Sequence, residues 1–346
     1  MTPKKCTWVS WLAPLAIIKP MQNQPKTHRI RVLIGLLVWL GFLGILYANQ
    51  QRVVDWWKLR GYTPSADVTA IAQATKMNEL GTHLFYVNRP QLMEAATFSK
   101  ECPIAAEKTI ILGCYKGGDK GIYLYRVNDV RLQGVEEVTA AHEMLHGAYA
   151  RLSANEKKQL NKQLEDFFET LTDDRIKQTI ASYRQTEPAE LANEMHSIFA
   201  TEILELPSSL EKHYARYFSD RKAVATLAVR YQAEFTSRRE RIAGYDTALT
   251  GLKQEIEQNQ DTLTSQKAEL DLQQNQLDSL RKADVVAYNS RVSDYNRLVR
   301  AYNALLEQTR ADIKKYNDIV EARNAIALEE RQLTQALSAE GLPAAQ

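Results

Sequence analysis

One segment of this chain carries two histidines and a glutamate at a spacing that suits metal chemistry. Residues 135–151 (VEEVTAAHEMLHGAYAR) begin with acidic side chains, contain no proline and have apolar residues at helical intervals. On a helix His142 and His146 face the same way, so both imidazoles can approach one Zn²⁺ at about 2.0–2.1 Å. Glu143 projects beside them, where it can take a proton from a water molecule that attacks a polarised carbonyl. The spacing therefore predicts a zinc site with Glu143 as general base.

This pattern, H-E-x-x-H, resembles the active-site helix of the zincin metallopeptidases, and the resemblance covers at most residues 80–220. It implies a zinc cofactor, hydrolysis of peptide bonds, and a protein or peptide as substrate. In the metzincin branch, Gly and His follow the second histidine at three and six residues, but this chain has Tyr149 and Leu152 there. The resemblance is therefore gluzincin-like, with a third ligand that comes from a glutamate on a later helix.

A later helix is predicted in residues 189–206, which lie between two prolines and have a helical apolar pattern. Within it, Asn193-Glu194 resembles the Asn-Glu pair that carries the glutamate ligand in several gluzincins. Glu194 is therefore the expected third zinc ligand. Because the distance along the chain tolerates other choices, the alternatives that stay open are Glu190, His196 and Glu202.

A β-hairpin is predicted upstream of the zinc motif, where residues 108–115 and 122–127 flank the glycine-rich turn KGGDKG. By resemblance to the zincins, the strand 122–127 is expected to present a free edge that holds an extended peptide by strand addition. A purely structural hairpin is the alternative. The residue that stabilises the transition state stays open among Tyr183, Arg184, His213 and Tyr217.

The apolar run VLIGLLVWLGFLGILYA, residues 32–48, predicts a single transmembrane signal anchor without a cleavage site. Residues 1–31 contain basic but no acidic side chains, so this segment is expected in the cytoplasm and the bulk of the chain outside it. The predicted location is thus the cell membrane. A buried core helix is the alternative for residues 32–48, and a second apolar stretch, residues 7–18, is too short to span.

The cysteines agree with that topology. Cys6 falls on the predicted cytoplasmic side, whereas Cys102 and Cys114 form an even pair beyond the anchor, where disulfides persist. We expect these two residues to form a disulfide, with zinc ligation or free buried thiols as the alternatives.

A helical coiled-coil region is predicted in residues 240–337. Apolar residues recur every seven positions at Ile242, Leu249, Ile256, Leu263, Leu270 and Leu277. A second stretch repeats Tyr-Asn pairs at Tyr288, Tyr295 and Tyr302, which is typical of seam tyrosines with outward asparagines. Polar residues 281–284 indicate a turn and hence a hairpin, although one long helix that self-associates or binds a coiled-coil partner satisfies the same heptads.

The expected fold class is α+β: an N-terminal transmembrane helix, a small zincin-like domain in residues 60–220, and a long helical extension. A net charge of only +2 argues against nucleic acid as a partner. Two functions compete, a membrane-anchored zinc metallopeptidase and a non-catalytic coiled-coil adaptor or cell-envelope interaction protein with a structural zinc site. Glu143 favours the peptidase, since a structural site has no use for a carboxylate between its histidines.

Overall fold

The computed structural model describes residues 26–103, 110–118 and 120–339. The chain divides into two units, Met1–Trp57 and Lys58–Gln346. The structure is mostly helical, with one small sheet and two long helices towards the C-terminus. The predictions on Cys6, on residues 7–18 and on most of the basic segment 1–31 lie outside the described residues.

The first unit contains the helix α1 (Lys26–Ala48), and α2 (Gln50–Leu59) begins within it. Among the described residues, no helix taken singly has both the length and the apolar character that crossing a bilayer requires. The segments Arg31–Tyr47 and Gln50–Leu59, bent by 58° at the break between them, meet both requirements only as a pair.

The second unit contains a three-stranded sheet and ten helices named below. The strands are β1 (Gln91–Met93), β2 (Gly113–Lys116) and β3 (Gly121–Tyr125). The helices are α3 (Ala66–Ala74), α4 (Glu79–Val87), α5 (Ala95–Glu101), α6 (Val135–Ala150), α7 (Ala154–Phe168), α8 (Asp174–Thr186), α9 (Leu191–Glu202), α10 (Ser208–Tyr214), α11 (Arg221–Ala283) and α12 (Val285–Leu337), with a 3-10 turn at Val130–Leu132.

The sheet has the order β1-β3-β2, so β3 is its central strand. β3 pairs in parallel with β1, placing Leu124 opposite Leu92, and antiparallel with β2, placing Tyr123 opposite Cys114. The prediction that residues 122–127 form the free edge is therefore wrong. β1 is only three residues long and covers one edge of β3, so β1 and β2 are the two outer strands of the sheet among the described residues.

The disulfide between Cys102 and Cys114 is present, with Cα atoms 6.1 Å apart. It links the residue after α5 to the second residue of β2. Since Cys102 is buried, the bond anchors β2 to the interior at one side.

Helix α6 lies at the centre of the apolar core, where Ala140, Ala141, Met144 and Leu145 are fully buried. It packs against α9, whose Phe199 is also fully buried, and against β2 and β3. Burying side chains of this kind stabilises the fold by about 1.5–3 kcal/mol each for the larger ones. The core thus fixes the spacing between α6 and α9.

The first turns of α11 complete this core. Gly134, the residue before α6, has a φ of 98°, and a Cβ there would lie 2.9 Å from Cβ of Leu227. Only glycine meets both demands, the left-handed conformation and the close approach of α11. Val224 and Ala228 are fully buried on the facing side of α11. α11 therefore begins inside the domain, before the heptad pattern.

Arg221, the first residue of α11, binds the end of α9. Its guanidinium donates to the carbonyl oxygens of Ala200, Ile203 and Leu204 at 2.6–2.9 Å, and to both carboxylate oxygens of Glu211. Arg221 itself is 4% exposed, whereas the side chain of Glu211 is 31% exposed.

Replacing Arg221 by methionine should lower the free energy of unfolding by about 1–3 kcal/mol, because the partly exposed carboxylate of Glu211 and three carbonyls lose a buried donor. Denaturant unfolding of the full chain measures the loss. The matched control is Lys222→Met, since Lys222 pairs with the exposed Glu205 and its loss should have little effect. Equal stability of the two variants would contradict the role given to Arg221.

The C-terminal helices form an antiparallel hairpin within one chain. The helix break falls at Asp284, whose Oδ1 accepts from the backbone N–H of Val286 and Ala287. Arg323 of α12 donates to Asp246 of α11 at 2.7 Å. The tyrosines of the Tyr-Asn pairs are half-buried and their asparagines exposed.

The far end of α12 returns to the domain. Leu333 and Leu337 pack with Leu132 and Val135, the residues that lead into α6. Both ends of the hairpin are therefore attached at the start of α6, and the tail 340–346 lies outside the described residues.

Candidate metal centre

The helices α6 and α9 bring three potential ligands together. His142 and His146 are one turn apart on α6, with ring centroids 4.7 Å apart. Their Nε2 atoms each lie 3.5 Å from one carboxylate oxygen of Glu194 on α9. One ligand atom from each of the three residues falls within 4.8 Å of the others.

Glu194 sits in this group as a buried carboxylate whose bonding is incomplete. Its side chain is 12% exposed, and Oε2 is buried without a hydrogen-bond partner among the described residues. Burial by itself raises the pKa of Glu194, yet the side chains of His142, His146 and Tyr183 lower it overall. A charged, unsatisfied oxygen facing two imidazoles is the arrangement that a bound cation would complete.

The donor set fits Zn²⁺ in kind and in distance. Two imidazoles and one carboxylate are a common set for catalytic zinc. Bonds of about 2.0–2.1 Å at tetrahedral angles put ligand atoms about 3.3 Å apart. The two distances of 3.5 Å from histidine nitrogens to Glu194 lie close to that separation. Among the described residues no fourth Cys, His, Asp or Glu joins the group, so a four-coordinate ion held by these three residues would keep one position for a further ligand.

The alternative third ligands lie elsewhere. Glu190 precedes α9, is exposed and accepts from Asn193. His196 is fully buried and its Nε2 lies 3.1 Å from Nε2 of His213. Burial first, and His213 next, hold the pKa of His196 well below its usual value. Glu202 pairs with Arg175 at 2.6 Å. Of the four candidates, the structure brings only Glu194 to the two histidines.

Glu143 lies beside this group but is not a member of it. It is 6% exposed, and burial raises its pKa to about 7, with Glu194 adding to the rise and His146 and a backbone hydrogen bond from Tyr115 opposing it. β2 approaches the side chain very closely, because a Cβ on Gly113 would lie 2.8 Å from Cγ of Glu143. The glycine therefore lets the edge strand lie directly on this carboxylate.

The three ligands and Glu143 open into a cleft of about 790 Å³. β2 forms one wall through Gly113, Cys114 and Tyr115, and the end of α8 and start of α9 form another, with Tyr183 and Glu190. Burial is the main reason that the pKa of Tyr183 is raised, and the nearby Glu194 adds to it. Tyr183 therefore keeps its proton and is a hydrogen-bond donor facing the cleft.

The other candidates for transition-state stabilisation do not line this cleft. Arg184 pairs with Glu165 and lies over the ring of Phe168. His213 contacts the rings of Tyr214 and Tyr217 away from the ligand group. Of the four residues left open by the sequence, only Tyr183 faces His142 and Glu143 across the cleft.

Sequence reasoning missed two contributors to the site. The first is β2, for which no role in the site was predicted although its residues line the cleft. The second is Ser197, whose Oγ lies 3.3 Å from Nδ1 of His146. Ser197 follows Glu194 by three residues on a helix, so the spacing predicts that both lie on one face. The sequence does not indicate which histidine Ser197 contacts.

Comparisons with models of protein families, with curated proteins and with solved structures gave no match.

Proposed function

We propose that this chain is a zinc-dependent peptide hydrolase of the gluzincin-like type. The observation that carries the proposal is the group of His142, His146 and Glu194, with Glu143 beside it and an open cleft in front. Three protein ligands with a free fourth position are typical of catalytic zinc, whereas structural zinc is usually closed by four ligands.

The side chains have distinct roles in this proposal. Zinc, when bound, supplies a Lewis acid that polarises the carbonyl under attack and makes a water molecule more acidic. Glu143 accepts the proton of the attacking water and delivers it to the leaving amine. Tyr183 donates a hydrogen bond to the oxygen on which negative charge develops. His142, His146 and Glu194 hold the metal.

Extended peptide would bind along β2. This strand has an unpaired edge among the described residues, borders the cleft, and lies on Glu143 through Gly113. Backbone groups at such an edge can pair with a substrate in the way a further strand would. In this proposal, the strand that binds the extended peptide is therefore Gly113–Lys116 and not residues 122–127.

We also propose that residues 32–48 anchor the protein in the cell membrane, with the N-terminus in the cytoplasm and the cleft outside. The support is the uncharged apolar run and the exclusively basic character of the charged side chains in residues 1–31. An extracytoplasmic location suits the disulfide of Cys102 with Cys114, since such bonds persist there.

The hairpin supports a second candidate function, a coiled-coil adaptor with a structural metal site. α11 alone has 63 residues and is about 95 Å long at 1.5 Å per residue, more than a peptidase cleft needs. The two candidates differ in what metal removal does. An adaptor keeps binding its partner without turnover, and a hydrolase loses turnover.

The decisive experiment is zinc stoichiometry and hydrolysis of a quenched fluorescent peptide library by the full chain in detergent. We expect one tightly bound zinc per chain, none in His146→Ala, and peptide cleavage that a chelator stops and added zinc restores. Wild-type protein without zinc would overturn the metal site. Zinc without any cleavage across the library would favour the adaptor.

A further inference from the structure

Ser197 contacts one of the three candidate metal ligands but is not itself one of them. Its Oγ lies 3.3 Å from Nδ1 of His146, and the residue is fully buried on α9. Nε2 of the same imidazole faces Glu194 at 3.5 Å. One ring of His146 therefore connects the candidate metal position on one side with a buried hydroxyl on the other.

The two contacts together specify a tautomer. A neutral imidazole has one protonated nitrogen, and the nitrogen that binds a cation must be the other one. With a cation bound at Nε2, the proton belongs on Nδ1, and Nδ1–H then donates to Oγ of Ser197. Without that acceptor, a buried Nδ1–H would be left unpaired, which costs free energy.

Helix geometry makes the contact a fixed one. Ser197 follows Glu194 by three residues, so both lie on the face of α9 that packs on α6. The backbone at Ser197 is held in turn, since its carbonyl accepts from the Thr201 hydroxyl at 2.8 Å. A single helix thus supplies one ligand and the hydrogen-bond partner of another ligand.

We propose that Ser197 is a positioning residue for the metal site: it holds His146 in the Nδ1-protonated tautomer and in the ring orientation that presents Nε2 to zinc. The proposal rests on the metal site of the proposed function but not on peptide hydrolysis. It adds the pattern Glu-x-x-Ser on α9 to the pattern His-Glu-x-x-His on α6 as parts of one centre.

The test compares zinc affinity of the full chain with that of Ser197→Ala, by competition with a chromophoric chelator. We expect the variant to bind zinc about 10–100-fold more weakly, the usual effect of losing a hydrogen-bond partner of a ligand. The matched control is Thr75→Val, which removes a fully buried hydroxyl that donates to the carbonyl oxygens of Ile71 and Ala72 in α3. That control should retain wild-type zinc affinity.

A second readout separates positioning from general damage. In the zinc-bound proteins, nitrogen NMR of the His146 side chain should show an Nδ1–H proton that is protected from exchange with solvent in wild type and in Thr75→Val, and that exchanges faster in Ser197→Ala. Unchanged zinc affinity and unchanged exchange of this proton in Ser197→Ala would overturn the proposal, while zinc binding by the wild type would still stand. Absence of zinc from the wild type would instead remove the site itself.

Discussion

Replacing Glu143 by glutamine should reduce peptide hydrolysis by at least about a hundredfold and leave zinc bound. Glutamine has nearly the same size but cannot accept the proton of the attacking water. Glu143 is not one of the three grouped ligands, so the metal keeps all its protein contacts. The rate constant for cleavage of a peptide selected from the library and the zinc content of the same sample measure the two effects.

The matched control is Glu137→Gln, the same substitution on the same helix at a residue that does not line the cleft. Its hydrolysis rate and zinc content should equal those of the wild type. Full activity in Glu143→Gln would remove Glu143 from the mechanism, and loss of zinc from that variant would mean that Glu143 is a ligand.

The second large effect is expected from Glu194→Ala, which should weaken zinc binding by more than about a hundredfold and abolish hydrolysis with it. The alanine removes both an anionic ligand and the carboxylate that spans the two histidines at 3.5 Å each. The zinc-free variant should be only modestly less stable than zinc-free wild type, because the lost carboxylate has one buried oxygen without a partner although His142, His146 and Tyr183 favour its charge.

Zinc titration and denaturant unfolding on the same preparations separate loss of the ligand from loss of the fold. Glu190→Ala, one turn earlier and exposed, serves as the comparison and should bind zinc as the wild type does. If Glu194→Ala bound zinc with unchanged affinity, the third ligand would have to be sought at another residue.

Helix α6 was predictable because the residues that specify it lie close together in the sequence. The separation of four residues between His142 and His146 fixes their common face on any helix, and the apolar positions of 135–151 specify that helix. Glu194 was reached by resemblance, since only the packing of α9 on α6 distinguishes it from Glu190. The packing contacts between these two helices produce no repeating pattern in the sequence from which their pairing could be predicted.

The edge of the sheet was misassigned for a related reason. β1 is three residues long, too short for a recognisable alternation, and its partner is 32 positions away at Gln91↔Tyr123. Nothing local to residues 122–127 reveals that one of their edges is covered. The start of α11 was similarly hidden, because small residues such as Ala225 and Ala228 pack in the core without a heptad signal.

The unbroken course of α11 has a mechanical consequence. Arg221 fixes its first residue to the end of α9, and the helix continues without interruption to Ala283. Over a rod of about 95 Å, a tilt of one degree at the base displaces the tip by about 1.6 Å. Conversely, a load on the tip acts with a long moment arm on the helix that carries Glu194. A small tilt of α11 at its base would therefore become a large displacement at the tip of the arm.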